Sequence, residues 1–583
     1  MFDNRLTELT PEQRELFGLF LKRERLSLAS AASYRPPGNE TEAALIRIWS
    51  DLLHVEPGVD DNYFELGGDS ITVIRMVSQA RAAGIELRAE WVFSQPTIAR
   101  LAAMSRLWQP AADTAAAPAA WRQPAAEIRD VDYELGRALA RSGATPVDVF
   151  PLTPLQQGIL YHTLERASDG CYAVHWRFRL KGPLDLPRFR AAWAQIIERH
   201  EALRTIFQWV GVDEPMQIIV DLAEGIVLEE TNPGGAWASR AEEIAEEERR
   251  TDFDLRSAPL MRLRFLRIAS DEWLCSWTHH HLILDGWSQQ VLLEELFSAY
   301  CGLPLPPVAR GSLRDHVHRM RAANHPSAAG YWRQRFAGFD AGKSHLGLAA
   351  TPVHASLTQR IPHAGTLRAH LTRDASTLSA FYQSAWALAL AQLAGSPDVA
   401  FGVITSGRSS GVAGIERAVG LFINTLPLRV AFDPSLPFRA LLRTVQDEQA
   451  KLVEHESSSL LAIQQWLGWD RRTPLVESLY VYERFPVDFA RLQRAAQLEI
   501  SDVETMTYEH APIVLVVQDE DETTSITLKH PRGTPERVRG FEAALGFIAS
   551  LAERYVTAPD LPIRELLTIE PLRRSRYPSP NPD

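Results

Sequence analysis

Two short runs of residues carry the chemistry that this chain can do. The first is Thr278-His279-His280-His281-Leu282-Ile283-Leu284-Asp285-Gly286-Trp287-Ser288. An imidazole near its reference pKa of about 6.5 accepts or steers a proton at neutral pH, and an acid nearby can fix ring or loop geometry. Three histidines in a row before Asp-Gly, at a strand-to-helix turn, exceed what packing asks for. Successive strand residues point to opposite faces, so His280 and His281 cannot ligate one metal while the strand persists. His279 and His281 share a face with Trp273, Cys275 and Trp277, which leaves a His/His/Asp285 metal site as a minor alternative. The second run, residues 61–70, reads DNYFELGGDS. Gly67 and Gly68 allow a tight turn, and Ser70 then stands at a helix N-terminus, where free N–H groups and the helix dipole favour an anion. A phosphate ester on Ser70 is well placed there. A plain N-cap is the alternative.

The elements that must position these residues are legible from periodicity. Trp273 to His279 alternates as a strand, and Val291 to Tyr300 carries Leu292, Leu293, Leu296, Phe297 and Tyr300 at helical spacing. Leu186 to Arg199 is a helix with Phe189, Trp193, Ile196 and Ile197 on one face. Helices and strands alternate from residue 149 to 567, a span that suggests two α/β subdomains, divided as 149–340 and 341–575, before a short tail at 576–583. Ahead of them, Asn39 and Glu42 form a capping box for a helix whose Ala43, Leu45, Ile46, Ile48, Trp49 and Leu52 make an apolar stripe. A second helix is expected from Ser70, with Ile71, Ile74, Met76 and Val77 inward, and a last one from Thr97, after Pro96. Residues 39–105 thus read as a small helical bundle. Residues 1–38 hold a short amphipathic helix, a packed appendage or a docking element. The segment 106–148, with its Ala/Pro-rich stretch at 109–126, reads as a linker.

Composition excludes several classes. At 583 residues and about 150 per domain, two to four domains are expected, and 45% hydrophobic with 23% charged residues is ordinary globular protein. Mainly disordered, collagenous and coiled-coil molecules are excluded. The 61 basic and 73 acidic residues give a net charge of -12, which argues against a nucleic-acid or anionic-lipid partner. Cys171, Cys275 and Cys301 form no CxxC pair, so neither a disulfide framework nor a cysteine zinc site is supported. The first residues carry charges where a signal peptide needs an apolar run, and the apolar stretch at 513–517 is too short to span a bilayer. A cytoplasmic protein with no membrane partner is the expectation.

DNYFELGGDS, with its upstream helix and the downstream WVFSQPTIARLA, resembles the thiolation (peptidyl carrier) domains of nonribosomal peptide synthetases. The resemblance implies that Ser70 carries 4′-phosphopantetheine, whose thiol holds an acyl group as a thioester. HHLILDG at residues 280–286 resembles the HHxxxDG signature of condensation domains from the same synthetases, relatives of chloramphenicol acetyltransferase. PLTPLQQGILYHTL from Pro151, RHEALRTIF from Arg199, VGLFINTLPLRV from Val419, and the segment from His455 through IQQW to SLYVYERFP agree in order and spacing. The implied fold is multidomain: an all-α four-helix carrier bundle, then an α/β condensation domain of two chloramphenicol-acetyltransferase-like subdomains. By this match His280 and His281 are the paired histidines, and His281 positions or deprotonates the attacking amine. Asp285-Gly286 closes the motif, with Asp285 structural and paired with an arginine. Arg204 is the first candidate for that arginine and Arg408 the second. The family's YxDY-like element is present only as Leu313-Arg-Asp-His316, and residues 508–530 fit the pattern poorly.

The resemblance implies amide-bond formation, with Ser70 as the donor tether. Its implied partners are a phosphopantetheinyl transferase, an adenylation domain or upstream module that loads the carrier, and an acceptor on another carrier or a free amine. Subtype features point to a D-configured donor. Epimerisation, ester formation and an inactive platform recruiting tailoring enzymes are the competing readings.

Overall fold

The computed structural model describes residues 35–107 and 144–567, with short interruptions within both ranges. In the first range, helix α1 (Glu40–Leu53) buries Leu45, Ile48, Trp49 and Leu52. Its capping box forms, displaced by one residue. Asn39 Oδ1 accepts from Glu42 N at 2.8 Å, whereas the Glu42 carboxylate accepts from Gly38 N at 2.7 Å rather than from the cap itself. Helical residues recur at 72–73, 76–77 and 79–80, with Val73, Met76 and Val77 buried. Helix α2 (Ile98–Met104) starts at the expected Thr97, whose hydroxyl caps Arg100 N. A two-residue antiparallel ladder pairs β1 (Ile85–Glu86) with β2 (Arg106–Leu107). The expected helix within residues 1–34, the linker stretch at 109–126, the tail at 576–583, and Ser70, Ile71 and Ile74 of the second helix lie outside the described residues.

The second range begins with β3 (Thr145–Pro151), α3 (Pro154–Glu165), β4 (Ala173–Lys181), α4 (Leu186–Arg199), β5 (Thr205–Gln208), β6 (Met216–Asp221), β7 (Leu228–Thr231) and α5 (Trp237–Arg250). β8 (Met261–Ala269), β9 (Glu272–His280), α6 (Gly286–Cys301) and α7 (Leu313–Ala323) follow. β9 runs antiparallel between β4 and β8. Its odd residues Trp273, Cys275 and Trp277 join Phe189 and Trp193 of α4 and Leu292 and Leu296 of α6 in one core. Leu274, on the other face, packs with Ala241 and Ile244 of α5. The period of two in β9 therefore serves two helical layers.

The later part contains β10 (His354–Ile361), α8 (Leu378–Ala394), β11 (Asp398–Thr405), β12 (Asn424–Ala431), α9 (Phe438–Glu454) and α10 (Leu460–Trp466). β13 (Ser478–Arg484), β14 (Glu499–Thr507), β15 (Ile513–Glu520), β16 (Thr523–Pro531) and α11 (Pro535–Thr557) follow, with short helices besides. Six described strands pair in the order β10-β16-β15-β13-β11-β12. α8 is apolar on all sides and every one of its residues is buried, as a helix under a sheet and between other helices must be.

Two segments tie this part to the first. β14 pairs antiparallel with β4, so the first sheet reads β14-β4-β9-β8-β7. The loop between β11 and β12, residues 406–423, sends Val419 and Leu421 into the core beneath β9. Phe422, Ile415 and Ala418 of the same loop pack with Phe150, Ile219, Leu313 and Val317. Among the described residues no helix is long and apolar enough to cross a membrane.

Candidate active site

The three histidines end β9 in three different environments. His279 is wholly buried on the α4/α6 face, where Gln289 Nε2 donates to its Nε2 at 3.0 Å and the Trp277 ring lies 4.9 Å away. That donation makes Nε2 an acceptor, so the neutral ring carries its proton on Nδ1. Burial holds its pKa well below the ordinary value, and His281 and His280 push it the same way. His280 is turned to the other face. Its Nδ1 accepts from Leu282 N at 3.2 Å, so its proton sits on Nε2 and points at Thr163 Oγ1, 3.4 Å away. Thr163 Oγ1 in turn donates to Ile159 O at 2.8 Å. Burial, reinforced by His281, lowers the His280 pKa to about 3, so this ring is a neutral structural post at any working pH.

His281 differs. It follows the last strand residue, its N–H donates to Tyr172 O at 2.8 Å, and it alone of the three is incompletely buried. Its Nδ1 is enclosed and has no hydrogen-bond partner among the described residues. The assigned strand ends one residue earlier, at His280. Among the described residues no group of three or more His, Cys, Asp or Glu is placed to hold a metal ion, and the Asp285 carboxylate is taken up by Arg408, Ser288 N and Phe422 N.

The turn after His281 is held by Asp285. Its backbone N donates to Gly420 O at 3.2 Å. Its Oδ1 caps α6 by accepting from Ser288 N at 2.8 Å, and Oδ2 accepts from Phe422 N at 2.9 Å. The same carboxylate meets Arg408 Nη2 at 3.1 and 3.3 Å, and both side chains are 0% exposed. Arg408 Nη2 also donates to Ser288 Oγ at 2.9 Å, and Nη1 to Ile415 O and Ala418 O at 2.5 and 2.8 Å. The rings of Phe422 and Trp287 lie 4.3 and 5.5 Å from the guanidinium carbon.

Arg204, the first candidate for the partner of Asp285, is not that residue. It closes a 3-10 turn (Glu201–Arg204), and its guanidinium is committed to the carbonyls of Ile197, Val220 and Glu198 at 3.1, 2.8 and 3.2 Å. That arginine ties α4 to β6, whereas the 406–423 loop delivers Arg408 directly onto the α6 N-terminus. Gly286, the last residue of the signature, is the first residue of α6, and a Cβ there would meet nothing within 4 Å.

Gln156 was not singled out from the sequence. Its Nε2 donates to Leu282 O at 3.0 Å, a second tie on the turn besides those of Asp285, and the Gln217 amide pairs with it. Gln156 Oε1 accepts from Thr153 N, and Thr153 Oγ1 accepts from Gln156 N. This reciprocal Thr-x-x-Gln box was the available signal. A separate cavity of about 190 Å³ lies under α5 and is lined by His175, Thr278 and Glu248 among others. It opens on the face of Thr278, opposite His279, and His281 is not part of it.

Ser70 lies outside the described residues, but its flanks bear on whether an arm fits there. Gly68 N donates to Tyr63 O at 3.0 Å, and a Cβ on Gly68 would fall 2.3 Å from the Tyr63 ring. Only glycine permits that approach, and helical residues follow at Thr72 and Val73. The described residues on either side of Ser70 are thus a close-packed glycine and a helical segment, and a helix N-terminus favours an anionic group.

Comparison with known proteins matches both parts of the chain to known families. The model described as "Condensation domain" matches residues 147–529, and that described as "Phosphopantetheine attachment site" matches residues 43–105. A linear gramicidin synthase from Brevibacillus parabrevis is 33% identical over 447 residues, covering 74% of this chain and 6% of its own length. Malpibaldin synthetase of Mortierella alpina is 28% identical over 565 residues, covering 92% of this chain and 10% of its own. The chain thus spans a small part of these relatives. Among solved structures, the condensation domain of the Monacolin K polyketide synthase MokA superposes with a TM-score of 0.62 at 21% identity, covering 72% of this chain and 99% of that one. The first condensation domain of the calcium-dependent antibiotic synthetase gives 0.60 at 17% identity, covering 72% and 98%. These two likenesses concern the fold.

Proposed function

The chain belongs to the condensation-domain family, with a phosphopantetheine attachment region ahead of that domain, and on this premise we propose that it joins a carrier-borne acyl group to an acceptor amine in nonribosomal peptide synthesis. The observation that carries the reading is His281: an incompletely buried imidazole at the end of a central strand, with the following turn held by Asp285 and Gln156. A 4′-phosphopantetheine held on Ser70 would supply a thiol to carry the acyl group as a thioester, and that thiol would be the leaving group, taking up the proton that the amine loses. His281 orients the amine and accepts its proton as the C–N bond forms. Because Nδ1 is enclosed, Nε2 is the atom assigned to this work. His280 and Asp285 stay out of proton transfer, the one neutral and the other engaged by Arg408, Ser288 N and Phe422 N. Holding both reactants converts a bimolecular step into an effectively unimolecular one.

Loading requires a phosphopantetheinyl transferase and an adenylation activity. The acceptor is an amine on another carrier or a free amine, and a cytoplasmic setting suits the chemistry. The test installs matched D- and L-aminoacyl pantetheines on Ser70 and offers free amino acids and their N-acetylcysteamine thioesters, with products identified by mass spectrometry. Amide product from the wild type, a fall of about 10²–10⁴-fold for His281→Ala, and no arm uptake by Ser70→Ala are expected. Wild-type turnover by His281→Ala refutes the proton-handling role, and preference for the L-donor refutes a D-specific reading. Release of an epimerised thioester without amide would reassign the reaction.

A further inference from the structure

We propose that Glu456 is a positioning residue for this reaction, acting through the Gly407–Ser409 turn that presents Arg408 to Asp285; the inference rests on the reading of His281 given above. Glu456 follows α9 and is buried. Its Oε1 accepts from Gly407 N at 2.5 Å, and its Oε2 accepts from Ser409 Oγ. The carboxylate therefore grips the residues on both sides of Arg408. Its own backbone is fixed by Asn424 of β12, whose Nδ2 donates to Glu456 O and to Ser458 O, each at 2.8 Å. On the far side of the turn, Gly407 has φ +67° and lies so close to Phe422 O that a Cβ would overlap it. Phe422 N is the group that donates to Asp285 Oδ2. A continuous path of contacts thus runs from Glu456 through Gly407 and Arg408 to Asp285, and from there to the turn that seats His281.

Among the described residues no cation is bonded to the Glu456 carboxylate; a buried carboxylate in that position is costly, and an apolar or amide side chain of similar size fills the same space at lower cost. The hydrogen bonds to Gly407 and Ser409 are where that charge is used. The charged neighbour coupled to it is Arg408, around which Asp285, Glu416 and His316 also gather. Burial raises the Glu456 carboxyl to about 7, against the opposing effect of hydrogen bonds from Gly407, Ser409, Ser406 and Thr405. The ionised form accepts from both ends of the turn. The protonated form keeps the Gly407 bond and turns its own O–H toward Ser409, which relaxes the grip on Arg408.

Glu456→Gln copies the protonated form, since an amide accepts from Gly407 N through its oxygen and donates to Ser409 Oγ through its nitrogen. Wild-type turnover in the assay above is expected to rise with pH through about 7, after allowance for any limb that His281→Ala removes. Glu456→Gln should lower kcat about tenfold at pH 8 with KM unchanged, and should abolish that pH step. Stability should move the other way. The folded pKa of Glu456 is raised, so its ionisation destabilises the native state as pH rises through about 7, and the variant should melt at or above the wild-type temperature at pH 8. Lost stability with an unchanged pH profile makes Glu456 merely structural and overturns the inference, as does wild-type kcat. If the wild type forms no product, the reading of the reaction fails instead, and a double-mutant cycle of Glu456→Gln with Asp285→Asn in denaturant decides: coupled midpoints support the path through Arg408, and additive midpoints overturn it.

Discussion

The Arg408 guanidinium meets the Asp285 carboxylate at 3.1 Å in a place from which water is wholly excluded, although 123 positions separate the two in sequence. Asp285 also caps α6 and receives the Phe422 N–H, so one carboxylate fastens the turn after His281 to a loop from the other half of the domain. Burial works against the charge on Arg408 and Asp285 offsets it.

Breaking this pair by removing one member leaves the other charge buried and alone. Asp285→Ala is expected to cost about 3 to 5 kcal/mol in denaturant unfolding. Amide formation should fall with it even where the protein remains folded. An unchanged unfolding midpoint would contradict the pairing.

Acid sensitivity should trace in part to His280. Its folded pKa is depressed to about 3 against an ordinary value of 6.5, so the unfolded chain binds the proton first. The native state is therefore penalised progressively as pH falls below about 6.5, down to about 3. His280→Asn retains an acceptor for Leu282 N and removes the titration. Its unfolding free energy should decline less steeply than that of the wild type between pH 6.5 and 4, which denaturant titrations at several pH values can resolve.

Gly407 and Gly338 offer a matched comparison. Both have positive φ, +67° and +72°, but a Cβ would overlap Phe422 O at the first and meet nothing within 4 Å at the second. Gly338→Ala should cost about 1 to 2 kcal/mol from backbone strain alone. Gly407→Ala should cost about 2 to 5 kcal/mol and reduce turnover, because the displaced turn carries Arg408. Equal costs would show that the loop yields without consequence.

Helix α4 was legible to the residue because Phe189, Trp193, Ile196 and Ile197 set an unbroken stripe, and β9 because Trp273, Cys275 and Trp277 alternate with residues facing a second layer. Local patterns report local structure, and the signature around His281 belongs to that class. The partner of Asp285 does not. Arg204 and Arg408 are both arginines near apolar runs, and only the path of the 406–423 loop decides between them. β14 was equally hidden. Its residues are largely exposed, its pairing with β4 shifts register between Ser501 and Glu504, and Asp502 has φ +49°. A bulged edge strand shows little alternation for a reader to find.

That strand bears on how the domain is made. Arg177 of β4 and Glu504 of β14 bond at 2.6 Å across 327 positions, so the sheet containing β9 stays open along β4 until nearly the whole domain has left the ribosome. β4 is buried along most of its length, and in the nascent chain it presents an unpaired apolar edge during that interval. A gene fragment ending near residue 340 would retain every histidine of the signature and still yield a sheet with one exposed border, prone to self-association. Dissecting this protein into halves should therefore fail for the half that bears the histidines, unless the later segment is supplied in trans.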